Sequence, residues 1–80
     1  MSDYYLFGTG GCHLCEQAEQ LLGQSANLIR YEKKDIADND DWLDRYAVRI
    51  PVLLHRPSGA ELSWPFDNAA LQRFIAKHRW

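Results

Sequence analysis

Residues 7–15 read FGTGGCHLC, and this stretch organises the rest of the chain. It follows a short apolar run, Tyr4 to Phe7, and precedes a helical pattern of apolar residues. Its glycines permit a sharp turn between a strand and a helix. Cys12 and Cys15, at C-x-x-C spacing, then lie almost one helical turn apart at the helix start, where unpaired N–H groups and the helix dipole favour a thiolate. Strand, turn, dithiol and helix, in that order, predict a thiol–disulfide active site.

Composition limits the classes of protein to which the chain can belong. Of its 80 residues, 46% are hydrophobic and 25% are charged, and the formal net charge is -2. These values predict one globular domain, residues 1–80, and favour neither a nucleic-acid partner nor a membrane. No apolar run has the length of a membrane span and the N-terminus lacks a signal-peptide pattern, so we expect a cytoplasmic protein. There, a C-x-x-C pair is expected to be catalytic or metal-binding.

Apolar spacing predicts a helix after the cysteines and then a second strand. Leucines and an alanine recur on one helical face from His13 to about Gln24, and Gly23 is the expected helix stop. The segment from Leu28 to Lys34 alternates apolar and polar residues, which is typical of a strand. A strand, a helix and a strand in this order form a βαβ unit, whose two strands are expected to be parallel.

The second half of the chain predicts a helix, a hairpin and a final helix. Capping residues at 38–41 open a short helix that runs through Tyr46. Pro51 heads an apolar strand, and the turn signal RPSG at 56–59 joins this strand to a short partner at 60–63. Asp67 caps a last helix. The order βαβαββα predicts an α/β fold, with a four-stranded mixed sheet and helices on both faces.

Two motifs in these positions resemble those of the thioredoxin-fold superfamily, and the short chain is most similar to small glutaredoxin-like proteins. They are GGCHLC at 10–15, after the first strand, and RIPV at 49–52, before the third. The resemblance covers nearly the whole chain. It implies a thioredoxin-like fold, a cis bond between Ile50 and Pro51, and pairing of the Ile50 backbone with an extended substrate. We expect Gly11, Pro51, Phe66 and Asp67, together with Ile50, to form the substrate-binding site.

The same resemblance implies a thiol–disulfide oxidoreductase. Cys12 would attack the disulfide of a protein or a small molecule, and Cys15 would resolve the mixed disulfide. An external reductant, either glutathione or a thioredoxin-reductase-type system, would reset the pair in a monomer without a bound cofactor. His13 has two readings: a protonated imidazole would stabilise the Cys12 thiolate, whereas a fully hydrated one would have little effect.

The chain departs from the family pattern where many glutaredoxins hold glutathione. Residues 8–11 offer no lysine before the cysteines, and only Asp67 matches the family's later acidic pair. Glutathione is therefore one candidate reductant rather than an expected ligand. The departure also leaves a second class of function open, a redox-inactive binding domain on the same scaffold, because a fold does not fix a function.

A metal or iron–sulfur carrier that uses the two cysteines is a third class. Structural zinc needs four ligands, commonly in two spaced pairs, and a second C-x-x-C or an H-x-x-x-H is absent from the sequence. We therefore expect no metal site. The aromatic residues Tyr46, Trp64 and Phe66 could rim the dithiol, but packing is the more common role for such residues, and His55 and His78 are expected at core or edge positions.

Overall fold

The computed structural model of the chain describes residues 3–24 and 29–78. Its elements are, in order, β1 (Tyr4–Gly8), α1 (His13–Gln24), β2 (Tyr31–Asp35), a 3-10 helix (Ile36–Asp38), α2 (Asp40–Tyr46), β3 (Val52–His55), β4 (Ala60–Ser63) and α3 (Asn68–Lys77). The predicted βαβαββα order is confirmed, with a short 3-10 helix added before α2.

The four strands form one mixed sheet in the order β2-β1-β3-β4. β1 pairs with β2 in parallel, as the βαβ argument predicts, and antiparallel with β3, which forms the predicted hairpin with β4. β1 is therefore a central strand. Because β1 and β2 are parallel, their carboxyl ends, Gly8 and Asp35, lie side by side at one end of the sheet.

Side-chain alternation along β1 divides the core between the two faces of the sheet. Tyr4 and Leu6 pack with α1 and α3, whereas Phe7 packs with α2 and the 3-10 helix. Helices thus cover both faces, as predicted. The Tyr4 hydroxyl also donates a hydrogen bond of 2.7 Å to the carbonyl of His78, which ties the first strand to the end of the last helix. None of the described helices is long and apolar enough to cross a membrane.

One predicted helix stop and one predicted strand start differ from the structure. α1 has the predicted bounds, His13 to Gln24, but it continues through Gly23, so the prediction that Gly23 stops the helix is wrong. Gly23 does not adopt the positive φ of a left-handed cap, and the helix can therefore pass through it. β2 begins at Tyr31 rather than at Leu28, which lies outside the described residues. The predicted alternation nevertheless holds before the strand, because Ile29 is buried and Arg30 is exposed.

Local side-chain chemistry fixes the predicted helix starts and the hairpin. The carboxylate of Asp67 accepts a 2.8 Å hydrogen bond from the amide of Ala70 and caps α3. Asn39 caps α2 in the same way. In the hairpin, Gly59 has a φ of 75° and its amide donates to the carbonyl of His55 at 2.8 Å, so the turn falls at the predicted residues.

Candidate active site

The two cysteines lie at the start of α1 and form a disulfide, with Cα atoms 5.2 Å apart. Cys12 occupies the N-cap position, because its carbonyl accepts the first helical hydrogen bond, from the amide of Glu16 at 3.2 Å. Its sulfur accepts a 3.2 Å hydrogen bond from the backbone N–H of Cys15. Cys12 Sγ thus takes the place of the oxygen of a capping side chain, and backbone N–H groups in that position stabilise a negatively charged sulfur.

The two cysteine residues differ in their exposure to solvent. Cys15 is 5% exposed and belongs to the core, whereas Cys12 is only partly buried. Gly8 makes this packing possible, because a Cβ atom on Gly8 would lie 3.0 Å from Cys15 Sγ. Cys12 is therefore the more accessible residue of the pair from solvent, and the buried Cys15 is bonded to its sulfur.

His13 lies on the solvent side of the helix start. Its side chain is 82% exposed, and its Nδ1 atom is 3.7 Å from a carboxylate oxygen of Glu16, which is itself 67% exposed. The structure thus gives the imidazole a carboxylate neighbour in open solvent. A modulating effect of His13 on Cys12 stays a prediction.

A pocket of about 380 Å³ opens beside the disulfide, between the start of α1 and the carboxyl end of β2. Both cysteines and the glycine-rich turn line it, including Gly11, whose φ of 77° requires a residue without a side chain. Its charged wall carries the carboxylates and ammonium groups of Glu16, Glu19, Lys33, Lys34, Asp35 and Asp38. The disulfide therefore lies at a pocket whose charged residues, four acidic and two basic, carry a net negative charge.

Sequence reasoning did not find the wall contributed by β2. Lys33 spans the pocket, with its ammonium 2.9 Å from a carboxylate oxygen of Glu19 on α1, and this hydrogen bond and the charge of Glu19 raise the pKa of Lys33. Lys34 is 3.0 Å from Glu32. The signal was available, because the carboxyl ends of adjacent parallel strands share one edge, so the residues after the second strand had to lie beside those after the first.

Comparison with known proteins now gives the family of the chain. The model of the glutaredoxin-like domain (DUF836) matches residues 4–76. The chain belongs to this family. No curated protein is similar enough to the chain to match.

Solved structures agree with this glutaredoxin-like assignment. The X-ray structure of the structural-genomics target XcR50 from X. campestris is 35% identical, covers 92% of this chain and 96% of its own, and superposes with a TM-score of 0.82. Protein Ne2328 from Nitrosomonas europaea, solved by NMR, is 25% identical over 91% of this chain and 89% of its own, with a TM-score of 0.76. The predicted thioredoxin-like fold is confirmed.

The Ile50–Pro51 segment of this glutaredoxin-like domain reaches the same end of the sheet as the dithiol. The bond between the two residues is cis, as the resemblance implies, and Pro51 is buried. Phe7 pairs with Val52, so the next residues along the two strands, Gly8 and Pro51, lie opposite each other at the end of the ladder. The chain thus brings Pro51 beside Gly8, which in turn contacts Cys15.

Phe66 and Asp67, also predicted to bind substrate, have structural roles in the glutaredoxin-like domain. Phe66 is 6% exposed and packs in the core, with Trp64 in edge contact at 5.1 Å between ring centroids, and Asp67 caps α3. Tyr46 stacks on Phe7 at 4.4 Å. The packing interpretation of these aromatic residues is confirmed, and contact of Phe66 or Asp67 with a substrate stays a prediction.

His55 and His78 lie at the end of the sheet where Tyr4 pairs with His55, away from the dithiol. His55 is fully buried, and its Nδ1 atom is 2.6 Å from the hydroxyl of Ser58, while His78 packs beside its ring at 5.7 Å. In residues 3–24 and 29–78, no group of three or more His, Cys, Asp or Glu side chains is arranged to hold a metal ion.

Proposed function

We propose that this glutaredoxin-like domain is a thiol–disulfide oxidoreductase in which Cys12 is the nucleophile and Cys15 is the resolving thiol. The observation that carries the proposal is the asymmetry of the pair. Cys12 is only partly buried and its Sγ accepts a hydrogen bond from a backbone N–H at a helix start, whereas Cys15 is 5% exposed. Reactive cysteines are found where backbone donors favour the thiolate and solvent can reach the sulfur.

In the reduced state the reaction is a two-step exchange. The Cys12 thiolate attacks one sulfur of the substrate disulfide, forms a mixed disulfide and expels the other sulfur as a thiolate, which takes a proton from solvent. Cys15 then loses its proton to solvent and attacks Cys12 Sγ, which releases the second substrate thiol. Two electrons pass from the dithiol to the substrate, and the Cys12–Cys15 disulfide forms.

An external thiol must return two electrons to that disulfide. Glutathione, or a dithiol supplied by a thioredoxin-reductase-type system, can do so by attacking the accessible sulfur of Cys12, so no resident cofactor is needed. We infer that the domain works as a cytoplasmic monomer on disulfides of proteins or small molecules. Two findings support a redox role of this type. The chain belongs to a glutaredoxin-like family, and its cysteine pair lies at a helix start at disulfide distance.

The test is to measure the reactivity of each thiol separately. In the reduced protein, Cys12 should be alkylated faster than Cys15, and peptide mass analysis assigns each adduct. Cys12→Ser should not react with a disulfide substrate, whereas Cys15→Ser should accumulate a mixed disulfide at Cys12. Faster alkylation of Cys15 would reverse the two roles.

A redox titration separates this proposal from its rivals. A reversible two-electron couple between about −300 and −180 mV in glutathione buffers supports an oxidoreductase. Absence of a reversible couple over that range would instead support a binding domain on the same scaffold. Colour or bound metal in the purified protein would support a metal or iron–sulfur carrier.

A further inference from the structure

Glu61 joins two groups that lie far from it in the sequence. It stands on β4 with its side chain 27% exposed, and each carboxylate oxygen has its own donor. Oε2 accepts a 2.6 Å hydrogen bond from the hydroxyl of Tyr46, and Oε1 accepts a 2.7 Å hydrogen bond from Arg49. The same guanidinium donates to Ser63 at 3.1 Å. Neither Glu61 nor its donors take part in the exchange chemistry proposed above.

The protonation states of Glu61, Tyr46 and Arg49 suit the hydrogen bonds between them. Burial acts to raise the pKa of Glu61, but the hydrogen bonds from Tyr46 and Arg49 and the charge of Arg49 outweigh it, and the pKa is lowered. Burial, followed by the hydrogen bond to Glu61, raises the pKa of Tyr46. At neutral pH the carboxylate therefore stays ionised and the phenol stays protonated, so both hydrogen bonds are charge-assisted.

The donors of Glu61 frame the chain that leads into Pro51. The backbone carbonyl of Tyr46 accepts hydrogen bonds from the amides of Arg49, at 2.8 Å, and Ile50, at 3.0 Å. Glu61 accepts hydrogen bonds from the side chains of Tyr46 and Arg49, and the Tyr46 carbonyl accepts hydrogen bonds from the backbone amides that follow. The loop of residues 47–51 is thus fixed from both sides.

Ile50 ends this loop at the cis bond to Pro51. The amide of Ile50 already donates to Tyr46, whereas among the described residues no hydrogen bond to the Ile50 carbonyl is found. Ile50 directly precedes Pro51, which lies opposite Gly8 at the dithiol end of the sheet. Because the Ile50 amide is already used, we expect only the carbonyl of Ile50 to pair with a substrate, and it would accept a hydrogen bond from a substrate N–H.

We propose that Glu61 is a positioning residue for polypeptide substrates: it holds the 47–51 loop so that the Ile50 carbonyl accepts a backbone N–H from an extended chain whose disulfide lies on Cys12. This rests on the proposed function. A peptide cysteine has backbone N–H groups close to its sulfur, whereas a small disulfide without amides cannot use the acceptor. Glu61 therefore favours polypeptide disulfides over small ones and leaves the sulfur chemistry unchanged.

The test compares two disulfides with the same leaving group. One is an extended peptide whose single cysteine is capped with 2-mercaptoethanol, and the other is bis(2-hydroxyethyl) disulfide. Second-order rate constants are measured with the reduced wild-type protein and two reduced variants. Glu61→Gln removes the charge of the carboxylate, and Tyr46→Phe removes the hydroxyl but keeps the stacked ring. Glu32→Gln, which neutralises the partner of Lys34 on β2, at the opposite edge of the sheet, is the matched control.

We expect Glu61→Gln to slow the peptide reaction about five- to tenfold and Tyr46→Phe about threefold, because charge-assisted hydrogen bonds are lost. The small disulfide should react within about twofold of wild type in every variant, and Cys12 alkylation should not change. Equal losses with both disulfides would mean general damage to the fold and would overturn the inference. So would an unchanged peptide rate, or the same loss in Glu32→Gln.

Amide hydrogen exchange provides a readout that does not depend on activity. The amides of Arg49 and Ile50 should exchange about fivefold faster in Glu61→Gln than in Glu32→Gln. Both amides donate to the Tyr46 carbonyl, and Tyr46 is less restrained once the charge of Glu61 is removed. Unchanged exchange overturns the positioning role. A wild-type dithiol that reduces neither disulfide would refute the proposed function and the substrate role of Glu61 together, and exchange would still decide whether Glu61 holds the loop.

Discussion

The contact between Gly8 and Cys15 gives a prediction whose size can be worked out from the structure. In Gly8→Ala the new Cβ atom would lie 3.0 Å from Cys15 Sγ and 3.2 Å from Cys15 Cβ. Favourable contacts of this kind lie at about 3.5–4.0 Å, so atoms must move by roughly half an ångström. Overpacking of this type costs about 1–3 kcal/mol.

Gly10→Ala is the matched control, because a Cβ atom on Gly10 meets nothing within 4 Å. Both substitutions restrict the unfolded chain equally, by about 0.4–1 kcal/mol, so this effect cancels between the two variants. The difference between them isolates the clash and should be about 2 kcal/mol. For a domain of this size, that corresponds to a difference in Tm of about 8–16 °C.

Thermal unfolding should be followed by circular dichroism in both redox states. In the oxidised domain the Cys15 sulfur is tied to Cys12 and cannot turn away from the new methyl group. In the reduced domain the Cys15 sulfur can rotate away, but Cys15 Cβ cannot. The difference in Tm between Gly8→Ala and Gly10→Ala should therefore be smaller than in the oxidised domain but not zero. If oxidised Gly8→Ala melts within about 1 °C of oxidised Gly10→Ala, the close approach at Gly8 does not constrain the site.

The cap of α3, the buried imidazole and the pocket charge each give a further prediction. Asp67→Ala removes the acceptor for the Ala70 amide and should lower the free energy of unfolding by about 0.5–2 kcal/mol, measured by urea denaturation. Burial, and then the charge of His78, lowers the pKa of His55 in the folded protein. Because the unfolded chain then binds a proton more readily, the free energy of unfolding should fall as the pH drops below about 6.5. His55→Leu should reduce this dependence of Tm on pH, and an unchanged dependence would contradict the attribution to His55. The pocket lining is negative, so reduced protein should react about fivefold faster with a dicationic than with a dianionic small disulfide at low ionic strength, and stopped-flow rates should converge near 1 M salt.

The parts of the fold that depend on local chemistry could be predicted from the sequence. Asn39 and Asp67 cap the helices that follow them, and the hairpin turn falls at residues 56–59, because a cap or a turn needs only its own few residues. The dithiol motif is local in the same sense, and its position at a helix start follows from the glycine-rich turn before it.

The start of β2 could not be predicted, because it depends on a partner strand. The pairing begins with Tyr4 opposite Tyr31, so residues before Tyr31 have no residue of β1 to pair with, however strand-like their sequence. A pattern of alternation shows which side chains are buried, and it does not show where a neighbouring strand ends.

The walls of the site were missed although both strand pairings behind them are predicted from the sequence. Lys33 and Asp38 line the pocket of the dithiol because β2 lies beside β1, and Glu61 contacts Arg49 because β4 lies beside β3. Spacing in the sequence finds residues that lie together within one turn of a helix. Residues that lie together across a sheet are found only by applying the predicted pairings to side chains far apart in the sequence.

The central place of β1 has a consequence for how the protein is made. Tyr4 pairs with Tyr31 on one side and with His55 on the other, and its hydroxyl bonds the carbonyl of His78. β1 is synthesised before these three partners, and the last of them, His78, lies 74 residues further along the chain. At about 5–20 residues per second, β1 therefore exists for roughly 4–15 s before that partner is made. During that interval Cys12 and Cys15 are not yet held by the sheet, and residues 1–80 hold no other cysteine, so within this stretch each can pair only with the other.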